Sequence, residues 1–214
     1  GYPGNLSVTV VYTLTNENEL KITYAATTDK ATPVNITHHS FFNLHGFNSG
    51  TAKEINSHVM QIHAPFYNPT DAGLIPTGEV ATVEGTPMDF RKPTAVGERV
   101  NQPFDALKNG MGYDHNWILH KHGDVFTEAA VIFEPSNGVQ MRVLTDQPAM
   151  QFYGGNFFQG KDKGRTLAGF RIEPEVPEPG HRLRSQHRLE VGLDLPAAIR
   201  PRNHVLRQKT GQGR

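Results

Sequence analysis

Alternation with a period of two runs through most of this chain, and it restricts the fold more than any other feature. In "LSVTVVYTLT", Val8, Val10, Tyr12 and Leu14 share one side of an extended backbone. After the turn-like "NENE", the segment "LKITYAATT" repeats the pattern with Leu20, Ile22 and Tyr24, so the two runs read as a hairpin. "SHVMQIHA" is a further alternating run. "EAAVIFEPSNGVQMRVLT" reads as two strands around Asn137-Gly138, a dipeptide suited to a tight turn. "AMQFYGGNFF" adds a strand ending at Gly154-Gly155. Loops rich in Pro and Gly separate these runs, and the one plausible helical turn is "TAVGERV". Many short strands joined by such loops predict an all-β fold, an antiparallel β-sandwich with little helix.

The 214 residues suffice for a single sandwich domain spanning 1–214. Charge is uneven along it. Residues 1–160 carry 9 Lys and Arg against 15 Asp and Glu, whereas 161–214 carry 12 against 6. Strand patterning fades over the same stretch, so 171–214 reads as a divergent basic tail and 176–198 as the least regular part. Formal net charge is zero, which gives no reason to expect nucleic acid or an anionic membrane as partner. No apolar run approaches the roughly 20 residues that span a bilayer. With no cysteine, disulfides and thiolate chemistry are excluded. The chain opens without Met and enters a strand almost at once, as though in mid-domain. Sheet edges left uncovered by missing strands are expected to promote self-association.

Eleven histidines raise the question of metal binding. His120-Lys-His122 puts two imidazoles on one strand face, yet no metal-ligand motif accompanies them, and no metal or cofactor is expected. The stretch "ITHHSFFNL" is more informative. Read as a strand, it puts Val34, Ile36, His38, Ser40, Phe42 and Leu44 on a mostly apolar face, and Asn35, Thr37, His39, Phe41 and Asn43 on a polar one. His38 then belongs to the core and His39 to a groove. "GMGYDHNW" places Asp114 in a glycine-opened loop before the strand "NWILH", where it either closes a turn or accepts ligand hydrogen bonds. Gln151, Tyr153 and Asn156 surround two glycines in "QFYGGNFF". Amides both donate and accept, which suits sugar hydroxyls, and aromatic faces suit the C–H side of a pyranose. Glu173, in the apolar setting of "GFRIEPE", could have its carboxyl raised toward general-base use.

The order of "GYPGNLSVTVVYTL", "TPVNITHHSFFNL", "LIPTGE", "PMDFRKPTAVGE", "GYDHNW", "QFYGGNF" and "GFRIEP" resembles that of the aldose 1-epimerases (mutarotases) from residue 1 to about 174. The resemblance implies a galactose mutarotase-like supersandwich that interconverts the α and β anomers of aldohexoses such as galactose or glucose without a cofactor. It implies His39 as general acid and Glu173 as general base, with Asp114 and Gln151 holding the sugar; Asn156 joins them as a candidate sugar contact from the local reading. His38 stands where the family usually has Asn.

Two departures accompany the likeness. The family's N-terminal stretch, which supplies an Arg and a further substrate-binding His, has no counterpart here. After Glu173 the family continuation is matched only loosely, through Pro177 and Pro179, pointing to divergence or to a shifted reading frame in the gene. The expected partner is a monosaccharide and the expected compartment the cytoplasm. Two other readings stay open: a non-catalytic carbohydrate-binding sandwich, and a hexose-6-phosphate 1-epimerase, for which Arg91 and Arg142 would be candidate phosphate ligands.

Overall fold

Along the second strand, Glu19–Thr28, Ile22 and Tyr24 are buried while their neighbours Thr23 and Ala25 are exposed, so the alternation decides which side meets the core. The computed structural model describes residues 1–46, 55–121, 125–157, 170–175 and 186–194, the last two stretches by backbone alone. Thirteen strands are found among them: β1 (Leu6–Leu14), β2 (Glu19–Thr28), β3 (Phe41–Phe42), β4 (Val59–Ile62), β5 (Phe66–Asn68), β6 (Ala81–Thr82), β7 (Thr94–Ala95), β8 (Asp114–Ile118), β9 (Thr127–Glu134), β10 (Val139–Thr145), β11 (Ala149–Tyr153), β12 (Phe170–Glu175) and β13 (Gln186–Asp194). Among the described residues, helix is confined to α1 (Val96–Arg99), within the expected "TAVGERV", and the unanticipated α2 (Asp105–Gly110), besides a 3-10 turn at Ile55–Ser57.

The strands form two antiparallel sheets, ordered β1-β2-β13-β10-β9-β4-β7 and β3-β12-β11-β8-β5-β6. Register explains their shared core. In the first sheet, Met60, Ile132 and Met141 lie opposite one another across β4, β9 and β10. In the second, Tyr67, Trp117 and Met150 do the same across β5, β8 and β11. These side chains belong to one continuous apolar cluster between the sheets. Trp117, Phe90, Tyr113 and Phe152 pack ring against ring at 5.1–6.4 Å, and the polar ends of two of them are satisfied: Trp117 Nε1 donates to the Met88 carbonyl and the Tyr113 hydroxyl to that of Pro87.

Three expectations need correction. The histidine stretch is not a strand through 34–44. Only Phe41 and Phe42 pair, with Arg171 and Phe170 of β12, and residues 31–40 lie outside any ladder. Asp114 and His115 do not precede the next strand but begin it. The largest correction concerns 176–198. Its portion β13 is an interior strand, paired with β2 on one side and β10 on the other. The physical reason is visible in "HRLEVGLD": Leu189, Val191 and Leu193 keep a period of two, and interior pairing outweighs the basic, Pro- and Gly-rich context that suggested irregularity. Residues 176–185 and 195–198 lie outside the described residues.

β1 differs from β2, β9 and β10 in having every residue exposed, all nine of them. Its side bearing Leu6, Val8, Val10, Tyr12 and Leu14 registers with Thr28, Ala26, Tyr24, Ile22 and Leu20 of β2. It therefore extends the core-facing side of the sheet, beyond the point where the described part of the second sheet covers it.

Candidate functional site

The buried face of the second sheet is aromatic, so its opposite face carries the polar residues of the same strands. Asp114 pairs with Tyr153, and Asn116 with Gln151, across β8 and β11. On the other side of β11, Gln151 pairs with Glu173 and Tyr153 with Arg171. Strand alternation thus puts positions 114, 116, 151, 153 and 173 on one face. Gln151 Nε2 donates to Asp114 Oδ1 at 2.8 Å, and Asn116 Nδ2 donates to Asn68 Oδ1 at 2.9 Å. A half-exposed carboxylate and an amide, preset by a hydrogen bond and rooted in strands rather than loops, can accept and donate to vicinal hydroxyls. Asn68 and Asn116 escaped the sequence reading, although Asn116, two residues beyond Asp114, necessarily shares its face.

His39 approaches this face from the neighbouring edge. Its ring stands 5.2 Å from Phe41, and Phe41 stands edge-on to Tyr153 at 6.1 Å. His39 is exposed and His38 is 5% exposed, the two faces that alternation assigned them. His38 Nδ1 accepts the Ser40 amide at 3.3 Å. Burial, with a smaller contribution from His39, pushes the His38 imidazole down to about 4, so it is neutral at physiological pH. His115 points to the core side of β8, where its Nδ1 accepts the Asp114 amide at 3.1 Å and burial pushes it down to about 4.

Asn156 has a different employment from the one expected. Its amide nitrogen donates to the carbonyls of Gly110, at 2.8 Å, and Tyr113, at 2.9 Å. It clips the end of β11 to the turn leading into β8, and only its oxygen is left to meet a ligand. The left-handed Met111 (φ 50°) and Gly112 (φ 133°) make that turn. A Cβ at Gly112 would fall 2.5 Å from Asn156 Oδ1, so the clip demands glycine there. Of the arginines considered for phosphate, Arg91 is paired with Asp89 at 2.8 Å and Arg142 with Glu128 at 2.6 Å. His120 is exposed, and His122 lies outside the described residues.

A second cluster was not foreseen. His45, His58 and Glu134 bring three donor atoms within 4.8 Å of one another. Glu134 is fully buried, and His58 Nδ1 lies 3.1 Å and His45 Nε2 3.4 Å from its Oε2. The sequence signal was slight, because the residues come from three separate segments.

Comparison with known proteins gives one answer. Residues 1–194 match the aldose 1-epimerase family. The aldose 1-epimerase of Escherichia coli K12 is 42% identical over 188 residues, covering 85% of this chain and 53% of that protein. Human galactose mutarotase is 45% identical over 181 residues, covering 82% and 50%. The crystal structure of galactose 1-epimerase from Lactobacillus acidophilus superposes with a TM-score of 0.75 at 27% identity, covering 90% of this chain and 58% of that one. The chain spans about half the length of the curated relatives it matches.

Proposed function

The chain belongs to the aldose 1-epimerase family, and from that premise we propose that it acts in interconverting the α and β anomers of an aldohexose. The observation that carries the reading is the polar face of β8, β11 and β12. There the Asp114–Gln151 pair, the register position of Glu173 and the His39–Phe41–Tyr153 contact converge. Glu173 takes the proton of the anomeric hydroxyl while His39 delivers one to the ring oxygen. The C1–O5 bond breaks, the open aldehyde turns about C1–C2, and closure on the other face reverses both transfers. Asp114 and Gln151 hold sugar hydroxyls, and Tyr153 offers an aromatic ring to the C–H side of the pyranose. His38 is neutral and buried, so it supports the backbone rather than carrying the proton.

Anomer exchange of freshly dissolved α-galactose and α-glucose, followed by polarimetry, tests this together with sugar binding. Acceleration that Glu173→Gln lowers by about 10²–10⁴ without loss of binding supports the reading. Binding without any acceleration would instead mark a carbohydrate-binding sandwich.

Self-association is proposed through β1. An uncharged strand whose outer edge no described strand covers, with exposed Tyr12 (59%) and Leu14 (79%), templates pairing with a second copy. A monomer at all concentrations in sedimentation would refute it.

A further inference from the structure

Residues 31–40 lack ladder partners, and β3 contributes two paired positions, so something other than a sheet must fix the segment that carries His39. One fixing point is Leu44. Its amide donates to His58 Nε2 at 3.0 Å, and its carbonyl accepts from Asn137 Nδ2 at 2.7 Å. Because His58 Nε2 is an acceptor, the ring proton must reside on Nδ1, which faces Glu134 Oε2 at 3.1 Å. Glu134 is itself held, by the Ser57 hydroxyl at 3.0 Å and the Ser136 amide at 2.8 Å. The Ser57 hydroxyl also lies 3.0 Å from His45 Nε2, and Ser136 Oγ lies 3.3 Å from His45 Nδ1. The carboxylate near Nδ1 favours a proton there by proximity, without hydrogen-bond alignment, and that tautomer supplies a lone pair for one backbone amide five residues after His39.

We propose that Glu134 and His58 are positioning residues for the acid–base segment, acting through the Leu44 amide; this rests on the reading of His39 as the proton carrier. The same three side chains have a spacing compatible with a divalent cation. That use requires the His58 Nδ1 lone pair, and it would put the proton on Nε2, directed at the Leu44 N–H. Cation binding and the observed backbone bond exclude each other.

Two near-isosteric substitutions separate positioning from bulk structure. His58→Gln carries an amide oxygen to the place of Nε2 and keeps an acceptor for Leu44. His58→Asn reaches only to the place of Nδ1 and loses it. Both remove the ring, and Asn, one methylene shorter, leaves the larger void, so the Leu44 amide and His39 ring signals rather than stability separate them. Three readouts apply: hydrogen exchange at the Leu44 amide, the NMR signal of the His39 ring, and anomer exchange resolved into kcat and KM. In His58→Asn, Leu44 exchange should quicken at least about tenfold, the His39 signal should shift, and kcat should fall toward about 10²-fold with KM little changed. His58→Gln should recover most of each. Equal behaviour of the two variants overturns the proposal, as does a protected Leu44 amide in His58→Asn. Zinc that raises the melting temperature of the parent chain but not of Glu134→Gln would overturn it in favour of a metal site. His39→Asn with unaltered exchange rate would remove the catalytic reading, yet the Leu44 amide and His39 ring measurements would still report whether His58 holds the segment.

Discussion

The two halves of the proposed site are held in different ways. Asp114 and Gln151 stand on β8 and β11, whose other faces carry Trp117, Met150 and Phe152, all completely or almost completely buried. Ladder hydrogen bonds and the aromatic core fix that half together, so its geometry fails only when the sandwich does. His39 stands on a segment with hardly any ladder. Its neighbours are secured by imidazoles that accept backbone amides, His38 from Ser40 and His58 from Leu44. In the proposed reading, such a site has a rigid wall to orient the sugar and a separately adjustable wall to carry the proton.

The comparison breaks most visibly at Trp117. Replacing it with Ala removes the buried ring under β8 and strands the Met88 carbonyl that its Nε1 satisfies. A loss of about 3–5 kcal/mol is expected in urea unfolding, with both walls lost in one transition. Two separate transitions would show that the walls are independent.

Acid should act unevenly. Burial pushes His38 and His58 down to about 4, in the case of His58 against the pull of Glu134 and with the help of His45. Unfolded histidine titrates near 6.5, so between pH 6.5 and about 4 the unfolded chain binds protons that the folded chain refuses. The contribution is intact above 6.5 and lost as pH falls, up to about 3 kcal/mol for each histidine by pH 4. His115, pushed down to about 4 by burial alone, adds to the same limb from the ladder-held wall. A stability–pH profile of the double variant His38→Gln/His58→Gln should be flatter between pH 4 and 6.5. An unchanged slope would place the acid sensitivity elsewhere.

Gln151→Ala should do least harm to the scaffold. It removes one hydrogen bond to Asp114 and weakens sugar binding by about 1 kcal/mol, read by titration calorimetry, with little change in melting temperature.

Much of the sheet framework was legible in the sequence. Hairpins β1–β2 and β9–β10 follow from alternation interrupted by turn residues, and the left-handed Gly138 (φ 73°) sits where Asn137-Gly138 predicts a turn. Strand β13 is harder to see because the alternation of Leu189, Val191 and Leu193 sits in a basic, Pro- and Gly-rich context. The adjustable wall was harder to see. Alternation put His38 and His39 on opposite sides, yet it also implied a strand that backbone pairing does not supply. The tie through His58, Glu134 and Asn137 joins segments tens of residues apart and leaves no periodic trace. Asn156 could be recognised as an amide near the site, but its use on the Gly110 and Tyr113 carbonyls depends on a turn whose shape no pattern announces.

The division between a core histidine and a proton-carrying one is tested most directly by polarimetry on His39→Asn and His38→Asn side by side, using α-galactose. Asn at position 38 can offer its side-chain oxygen where Nδ1 now accepts the Ser40 amide, so anomer exchange should remain within a few-fold of the parent. Asn at position 39 cannot shuttle the proton, and exchange should fall by about 10²–10⁴ while the sugar still binds. Loss of exchange in His38→Asn with a normal rate in His39→Asn would contradict the account.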